Sequence, residues 1–302
     1  MLHSFKLTIA KVLFYTLGYL PLPVLHAIGS TLGMLLYVLP IRLRYYASTN
    51  LKLCFPRLSW MQHQWRLFCS LRELGKGLLE APVFWVRNQQ HLLRLVDNKE
   101  ALAPVSEIKA GGQGAIILGI HLGGFYLKNA VIAHDLPGTT YLYRPQKGML
   151  GLLMHLLRNR FGGNLVSTSR QGVLSLFRHL KQGGVVGMLC DHNVLDHGNV
   201  FAPFFGIKVP TMTLPARLAV KTRIPVFMAI MQRLSWGRGF KLHLWQVDDA
   251  IYSADLDDAA MAMNAEVEKA IQMFPTQHEW FYRRFWDRPP GAQPLYKTKI
   301  KQ

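Results

Sequence analysis

The chain predicts an α/β protein: a mixed, largely parallel central sheet flanked by helices, with an amino-terminal hydrophobic, membrane-anchoring helix region. After Pro104, short apolar runs alternate with helical patterns, the signature of a sheet crossed by helices. Before that, residues 12–41 carry no formal charge, while Lys6 and Lys11 precede them and Arg42 and Arg44 follow.

A spanning helix needs about 20 apolar residues, and this stretch is long enough. Pro21 and Pro23 cut it into segments 12–20 and 24–39. Two readings stand: one kinked or tilted transmembrane helix, or a hydrophobic hairpin lying in the interface. The region is too long for a cleaved signal peptide, and no small-x-small site follows it. Arg42, Arg44, Lys52 and Arg57 outweigh Lys6 and Lys11, which keeps the large carboxyl-terminal body on the cytoplasmic side. Residues 59–88 then read as a helix, with Ser59 as N-cap and Trp60, Leu67, Leu71, Leu74 and Leu78 at helical spacing.

Strands are predicted at 115–120, 139–143, 164–167, 184–190, 225–231 and 240–246. Helices are predicted at 125–133, 148–160, 170–181, 211–221 and 259–273. The first strand is isoleucine-rich, bounded by glycine, and delivers His121 into a turn containing Gly123 and Gly124. A residue there stands at the carboxyl edge of a sheet, where open α/β folds bind ligands, and the glycines admit close backbone or substrate approach.

Lys and Arg number 35 against 17 Asp and Glu, giving a net charge of +18, which calls for an anionic partner. Nucleic acid is excluded on pattern: there is no zinc-finger spacing, no RNP-like motif and no compact basic helix. The charge is instead spread through apolar sequence. Before residue 97 the only acids are Glu73 and Glu80, and acids gather later at Asp248, Asp249, Asp255, Asp257 and Asp258. A basic, apolar first third suits a membrane surface. Cys54, Cys69 and Cys190 form no CxxC pair, so neither a disulfide framework nor a zinc site is expected.

Several segments, in order, carry a resemblance. They are Thr49-Asn50-Leu51-Lys52-Leu53-Cys54-Phe55-Pro56, with Glu80 after it; His121-Leu122-Gly123-Gly124-Phe125-Tyr126; and Tyr143-Arg144-Pro145 followed by Arg160-Phe161-Gly162-Gly163. Next comes Leu180-Lys181-Gln182-Gly183-Gly184 through Asp191-His192 to Phe201-Ala202-Pro203-Phe204-Phe205-Gly206 and Thr211. The last is Glu279-Trp280 with Arg283-Arg284-Phe285. Together they resemble the lysophospholipid acyltransferase superfamily, in its bacterial lipid A late acyltransferase branch. The resemblance implies transfer of an acyl group from a carrier-protein thioester to a hydroxyl of lipid A or its precursor, without a metal or other cofactor. It also implies an acidic acyl carrier protein, the lipid A precursor and the bacterial inner membrane as partners, with a single amino-terminal anchor. Two alternatives remain: aminoacyl transfer from an aminoacyl carrier protein, and a catalytically degenerate lipid-binding relative. The corresponding division is a membrane anchor over 1–45, an acyltransferase-like α/β domain over 46–290 and a basic tail over 291–302.

An alcohol needs a base to attack a thioester, and His121 fills that role in the resemblance. The family acid five residues later is here Tyr126, the expected partner of His121, whose phenol can hydrogen-bond Nδ1 but carries no charge near pH 7. Three explanations stand: another carboxylate supplies the charge, Asp191 first and Glu80 second; a more reactive donor such as an aminoacyl thioester lets a weaker dyad suffice; or the site is degenerate. Arg144 is the candidate for a lipid phosphate or the thioester oxygen, followed by Arg160. Phe204 and Phe205 are candidates for acyl-chain contact. Met149, Leu152, Leu153, Leu156 and Leu157 line an acyl channel or belong to the core. His192 stands where the family usually has glutamine. Arg283 and Arg284, interleaved with Trp280, Phe281, Phe285 and Trp286, suit an interfacial belt.

Overall fold

The computed structural model describes residues 12–143, 161–193 and 199–297. A helix over 12–19 (α1) leads through the Pro21/Pro23 break to α2 (Leu22–Val38), α3 (Arg42–Cys54) and α4 (Trp60–Val86). Ser59 caps α4 as expected: its hydroxyl accepts from the Gln62 N–H, and the Gln62 side chain accepts from the Ser59 N–H. The basic, weakly periodic helix α3 has no counterpart in the sequence prediction.

After α5 (Gln89–Arg94) and α6 (Ala103–Ala110) the sheet begins. In chain order come β1 (Ala115–Gly119), α7 (Phe125–Asp135), β2 (Thr140–Tyr143), β3 (Asn164–Ser167), α8 (Arg170–Lys181) and β4 (Val185–Leu189). These are followed by β5 (Val200–Phe204), β6 (Ile207–Thr211), α9 (Leu214–Thr222), β7 (Val226–Arg233), β8 (Phe240–Gln246) and α10 (Leu256–Met273). The six-stranded sheet runs β3-β2-β4-β1-β7-β8, parallel except for the antiparallel edge strand β8. The expected mixed, largely parallel sheet is therefore present. The helix expected at 148–160 lies outside the described residues. The β5–β6 hairpin was not anticipated, because Pro203 and Pro210 interrupt both runs; proline is tolerated in this separate two-stranded ribbon.

Central strands are buried on both faces. Ile116 and Leu118 of β1 join Val186, Met188, Val226 and Met228 on one side, and Ala115 and Ile117 join Val185, Phe227 and Ala229 on the other. Helix α2 lies on α4 through glycine. A Cβ on Gly75 would stand 2.0 Å from the Gly29 carbonyl oxygen, and one on Gly33 would stand 2.3 Å from that of Leu71. The opposite face of α2 exposes Val24, Ile28, Leu35 and Val38.

Among the described residues no single helix is long and apolar enough to cross a membrane. Helices α2 and α3 reach that composition only as a pair, bent by 85° at the break containing Pro40. The segment expected as an anchor is thus partly built into the fold by its packing on α4. The tail is likewise docked as far as Lys297. Tyr296 is buried, its hydroxyl donates to Asn50 Oδ1, and the Lys297 N–H donates to the Tyr45 hydroxyl.

Candidate active site

Strand register builds the site. Parallel β1 and β4 pair Gly119 with Leu189, and the Cys190 N–H continues the ladder to the Gly119 carbonyl. Two residues beyond that pair stand His121 and Asp191, side by side at the carboxyl edge of the sheet. Asp191 holds His121 twice at 2.8 Å: Oδ2 accepts from the His121 backbone N–H and Oδ1 from ring Nδ1. Because a carboxylate only accepts, Nδ1 carries the proton and Nε2 is the basic nitrogen.

Tyr126 is therefore not the group on Nδ1. The chain turns at Gly123 and Gly124, and α7 carries Tyr126 into a cavity wall beside Phe125. The turn is tight: Gly123 has a positive φ of 57°, and a Cβ there would stand 2.1 Å from the Met231 carbonyl oxygen. The Gly124 N–H donates to that same oxygen.

The carboxyl-terminal segment closes the other side. The Gly123 N–H donates to the Gln277 carbonyl at 3.0 Å and the Glu279 N–H to the His121 carbonyl at 3.1 Å, and Leu122 bridges antiparallel to His278. Asn50 locks this segment by donating through Nδ2 to the carbonyls of Trp280 and Tyr282. The imidazole of His192 stacks on His121 with ring centres 3.8 Å apart and planes at 6°, and Tyr282 stacks on its far face.

Charge is arranged unevenly around His121. Burial would lower its pKa, but Asp191 and, more weakly, Glu279 raise it overall. Burial works against the Asp191 charge too, yet His121, His192 and His278 hold that carboxyl well below the usual range. Burial pushes His192 down to about 3 and His278 down to about 4, so both stay neutral near pH 7. Glu279 is pushed up to about 7 by burial. Beneath the site Lys128, buried on α7, is lowered to about 8 by desolvation and donates to the Ala229 carbonyl. Gly119 makes room for it, since a Cβ there would stand 1.7 Å from Nζ.

His121 opens on a cavity of about 360 Å³ with walls from Phe14, Leu71, Leu74, Phe84, Trp85 and Phe125. Polar groups at its base are already committed. Glu80 binds Arg233 through both carboxylate oxygens and accepts from His26 Nε2 at 2.7 Å, while Arg233 also donates to Glu73 at 2.8 Å. Glu80 is thus an internal ion-pair partner, not the charge on His121.

Other sequence candidates fall elsewhere. Phe204 and Phe205 do not line this cavity. Phe204 is buried against Phe285 and the Arg284 guanidinium, and Phe205 forms the β5–β6 turn and packs on Phe55. Arg284, Trp280 and Phe285 are buried rather than interfacial, and Arg284 donates to Asn193 Oδ1 and the Pro210 carbonyl. Arg144, Arg160 and the Met149–Leu157 candidates lie outside the described residues. Sequence reasoning did not nominate His278, Glu279, Lys128 or Arg233. The available signal for Glu279 was its place in the quoted Glu279-Trp280 segment of an acid-poor chain.

A ring nitrogen of His121, one of His192 and a Glu279 oxygen lie within 4.8 Å of one another. Metal binding would need the imidazole lone pairs to converge. The parallel stacking keeps the two imidazole planes 3.8 Å apart, so their in-plane lone pairs do not converge on one point as they stand.

Comparison with known proteins places the chain in a family. The family described as bacterial lipid A biosynthesis acyltransferase matches residues 3–287. The chain is 27% identical over 281 residues to the lipid A biosynthesis lauroyltransferase of Escherichia coli K12, covering 92% of this chain and 90% of that one. It is 28% identical over 278 residues to the palmitoleoyltransferase of the same organism, covering 92% and 90%. To a lipid A biosynthesis acyltransferase of Haemophilus influenzae it is 25% identical over 290 residues, covering 93% and 87%. With the family match spanning the sheet, the His121–Asp191 edge and the carboxyl-terminal closure, this chain belongs to the bacterial lipid A biosynthesis acyltransferase family.

Proposed function

We propose that the chain moves a fatty acyl group from the thioester of an acidic carrier protein to a hydroxyl of lipid A or its precursor, at the cytoplasmic face of the bacterial inner membrane. The observation that carries this reading is a histidine–aspartate pair opening on an apolar-walled cavity. His121 Nε2 takes the hydroxyl proton as the oxygen attacks the thioester carbonyl. The imidazolium is stabilised by Asp191. Collapse of the tetrahedral intermediate breaks the C–S bond, and the proton passes from His121 to the departing thiolate. The apolar walls suit an acyl chain, and the volume lies within the range of small-molecule sites.

The net charge of +18 suits an acidic carrier and a phosphorylated lipid. Arg144 and Arg160 remain the candidates for holding lipid phosphate. Tyr126 contributes to the cavity wall, not to the base. The exposed apolar face of α2, with Trp60, Met61 and Trp65 exposed at the start of α4, supports attachment by a helix lying against the bilayer.

Mass spectrometry of lipid A from cells with the wild-type chain, with His121→Ala and without the chain tests the reading. The expected result is one added fatty acyl mass that requires His121. An added amino-acid residue mass would reassign the donor, and no mass difference would overturn the proposal.

A further inference from the structure

A second carboxylate reaches His121 from the far end of the chain. Main-chain hydrogen bonds run residues 277–279 antiparallel along 121–123, and Asn50 clamps the next residue, so the position of Glu279 is set by backbone. Its side chain lines the same cavity as His121, with an oxygen within 4.8 Å of nitrogens of both His121 and His192. Glu73 and Glu80 are neutralised by Arg233, and Glu73 also by Lys76. Glu279 differs: among the described residues the basic side chain within 4 Å of it is His192, at 3.9 Å, which is neutral near pH 7.

We infer that Glu279 is a positioning residue for acyl transfer, holding the His121 loop through its backbone N–H and supplying negative charge to the imidazolium from the cavity wall. This rests on the His121–Asp191 reading and deepens it. Tyr126, where the resembling motif has an acid, leaves the cavity side of the histidine without a carboxylate from its own loop; Glu279 brings one from another segment.

The groups around the pair decide which charge matters. From the β4 edge come Asp191 and His192, from α7 Lys128, from the carboxyl-terminal segment His278, Tyr282 and Arg284, and from α4 and β7 Glu73, Glu80 and Arg233. His192 and His278 are neutral near pH 7, and the Arg233 cluster is internally paired. The positive charge created in the reaction therefore falls on His121, where Asp191 and Glu279 both act on it. A carboxyl pushed up to about 7 is only partly ionised at neutrality, so His121 and Glu279 titrate as a coupled pair.

The test is Glu279→Gln in the full-length chain, assayed in detergent with an acyl carrier protein donor and a lipid A precursor. Glutamine keeps the shape and the backbone bond. Loss of the charge is expected to lower kcat about tenfold and to move the acid limb of kcat/KM down by about one pH unit, with a shallower slope as one of two protonations disappears. Glu279→Asp should restore most of the wild-type limb. A limb unchanged in Glu279→Gln would overturn the proposal, whatever happens to kcat. The same point can be read without a variant. In NMR of the wild-type chain, the His121 ring signal, assigned by its loss in His121→Ala, should show a second inflection from Glu279. A single-step titration counts against the proposal. His121→Ala also separates the two readings: if it retains transfer, the catalytic assignment of His121 fails first.

Discussion

Replacing Asp191 with asparagine removes one charge and little volume from a buried position. The wild-type carboxylate accepts from both the backbone N–H and Nδ1 of His121 at 2.8 Å. An asparagine oxygen can serve one of these donors. Its amide NH₂ must then face the other, and when it faces Nδ1 the ring proton is driven to Nε2. That tautomer cannot accept a proton from the acyl acceptor. The charge effect alone is large. For unit charges centred about 4 Å apart at an effective dielectric constant of about 20, the attraction is about 4 kcal/mol. At about 1.4 kcal/mol per decade this is roughly a thousandfold in imidazolium stabilisation, and the tautomer change deepens it. Asp191→Asn should therefore reduce kcat by about 10³-fold or more with little change in KM for the acyl donor, measured by single-turnover transfer to a lipid A precursor in detergent. Thermal unfolding of the same preparation checks that the variant is folded. A folded Asp191→Asn enzyme within tenfold of wild type would refute the dyad.

Other consequences follow from the same geometry. Tyr126→Phe should leave the pH of half-maximal activity unchanged, because Nδ1 is held by Asp191; a shifted limb would give the phenol the orienting role. Gly75→Ala should lower stability by about 3 kcal/mol or more, since its Cβ would meet the Gly29 carbonyl, whereas Gly111→Ala should be close to neutral by denaturant titration. Arg233→Met leaves the buried Glu80 with only His26, while Glu73 keeps Lys76, and should cost about 3–5 kcal/mol; adding Glu80→Gln should recover much of that loss. Burial disfavours the Glu80 charge, but Arg233 and His26 lower its pKa overall. Its contribution to stability is thus present above the unfolded carboxylate pKa and lost as pH falls through the folded value. Acid unfolding of wild type should show this loss, and Glu80→Gln should unfold with a flatter pH dependence.

How far the sequence revealed the site depended on the range over which each signal acts. The strands around His121 were readable because their burial on both faces writes a continuous apolar run into local sequence. Alignment of His121 with Asp191 follows once β1 and β4 are neighbours in register, although 70 residues separate them. Glu80 illustrates the opposite case. It stood out as one of two acids in a basic third of the chain, which made it look available for chemistry. Its partner Arg233 lies 153 residues away on β7, and no local pattern announces that pairing. Tyr126 misled for a related reason. Spacing after a histidine predicts contact only when the intervening backbone is known, and the positive-φ turn at Gly123 sends that side chain to the cavity wall. Asn50, quoted only as part of a motif, pins the segment that carries Glu279. Its amide bridges to carbonyls 230 and 232 residues distant, so a residue quoted without a role helps to fix where the Glu279 carboxylate stands beside His121.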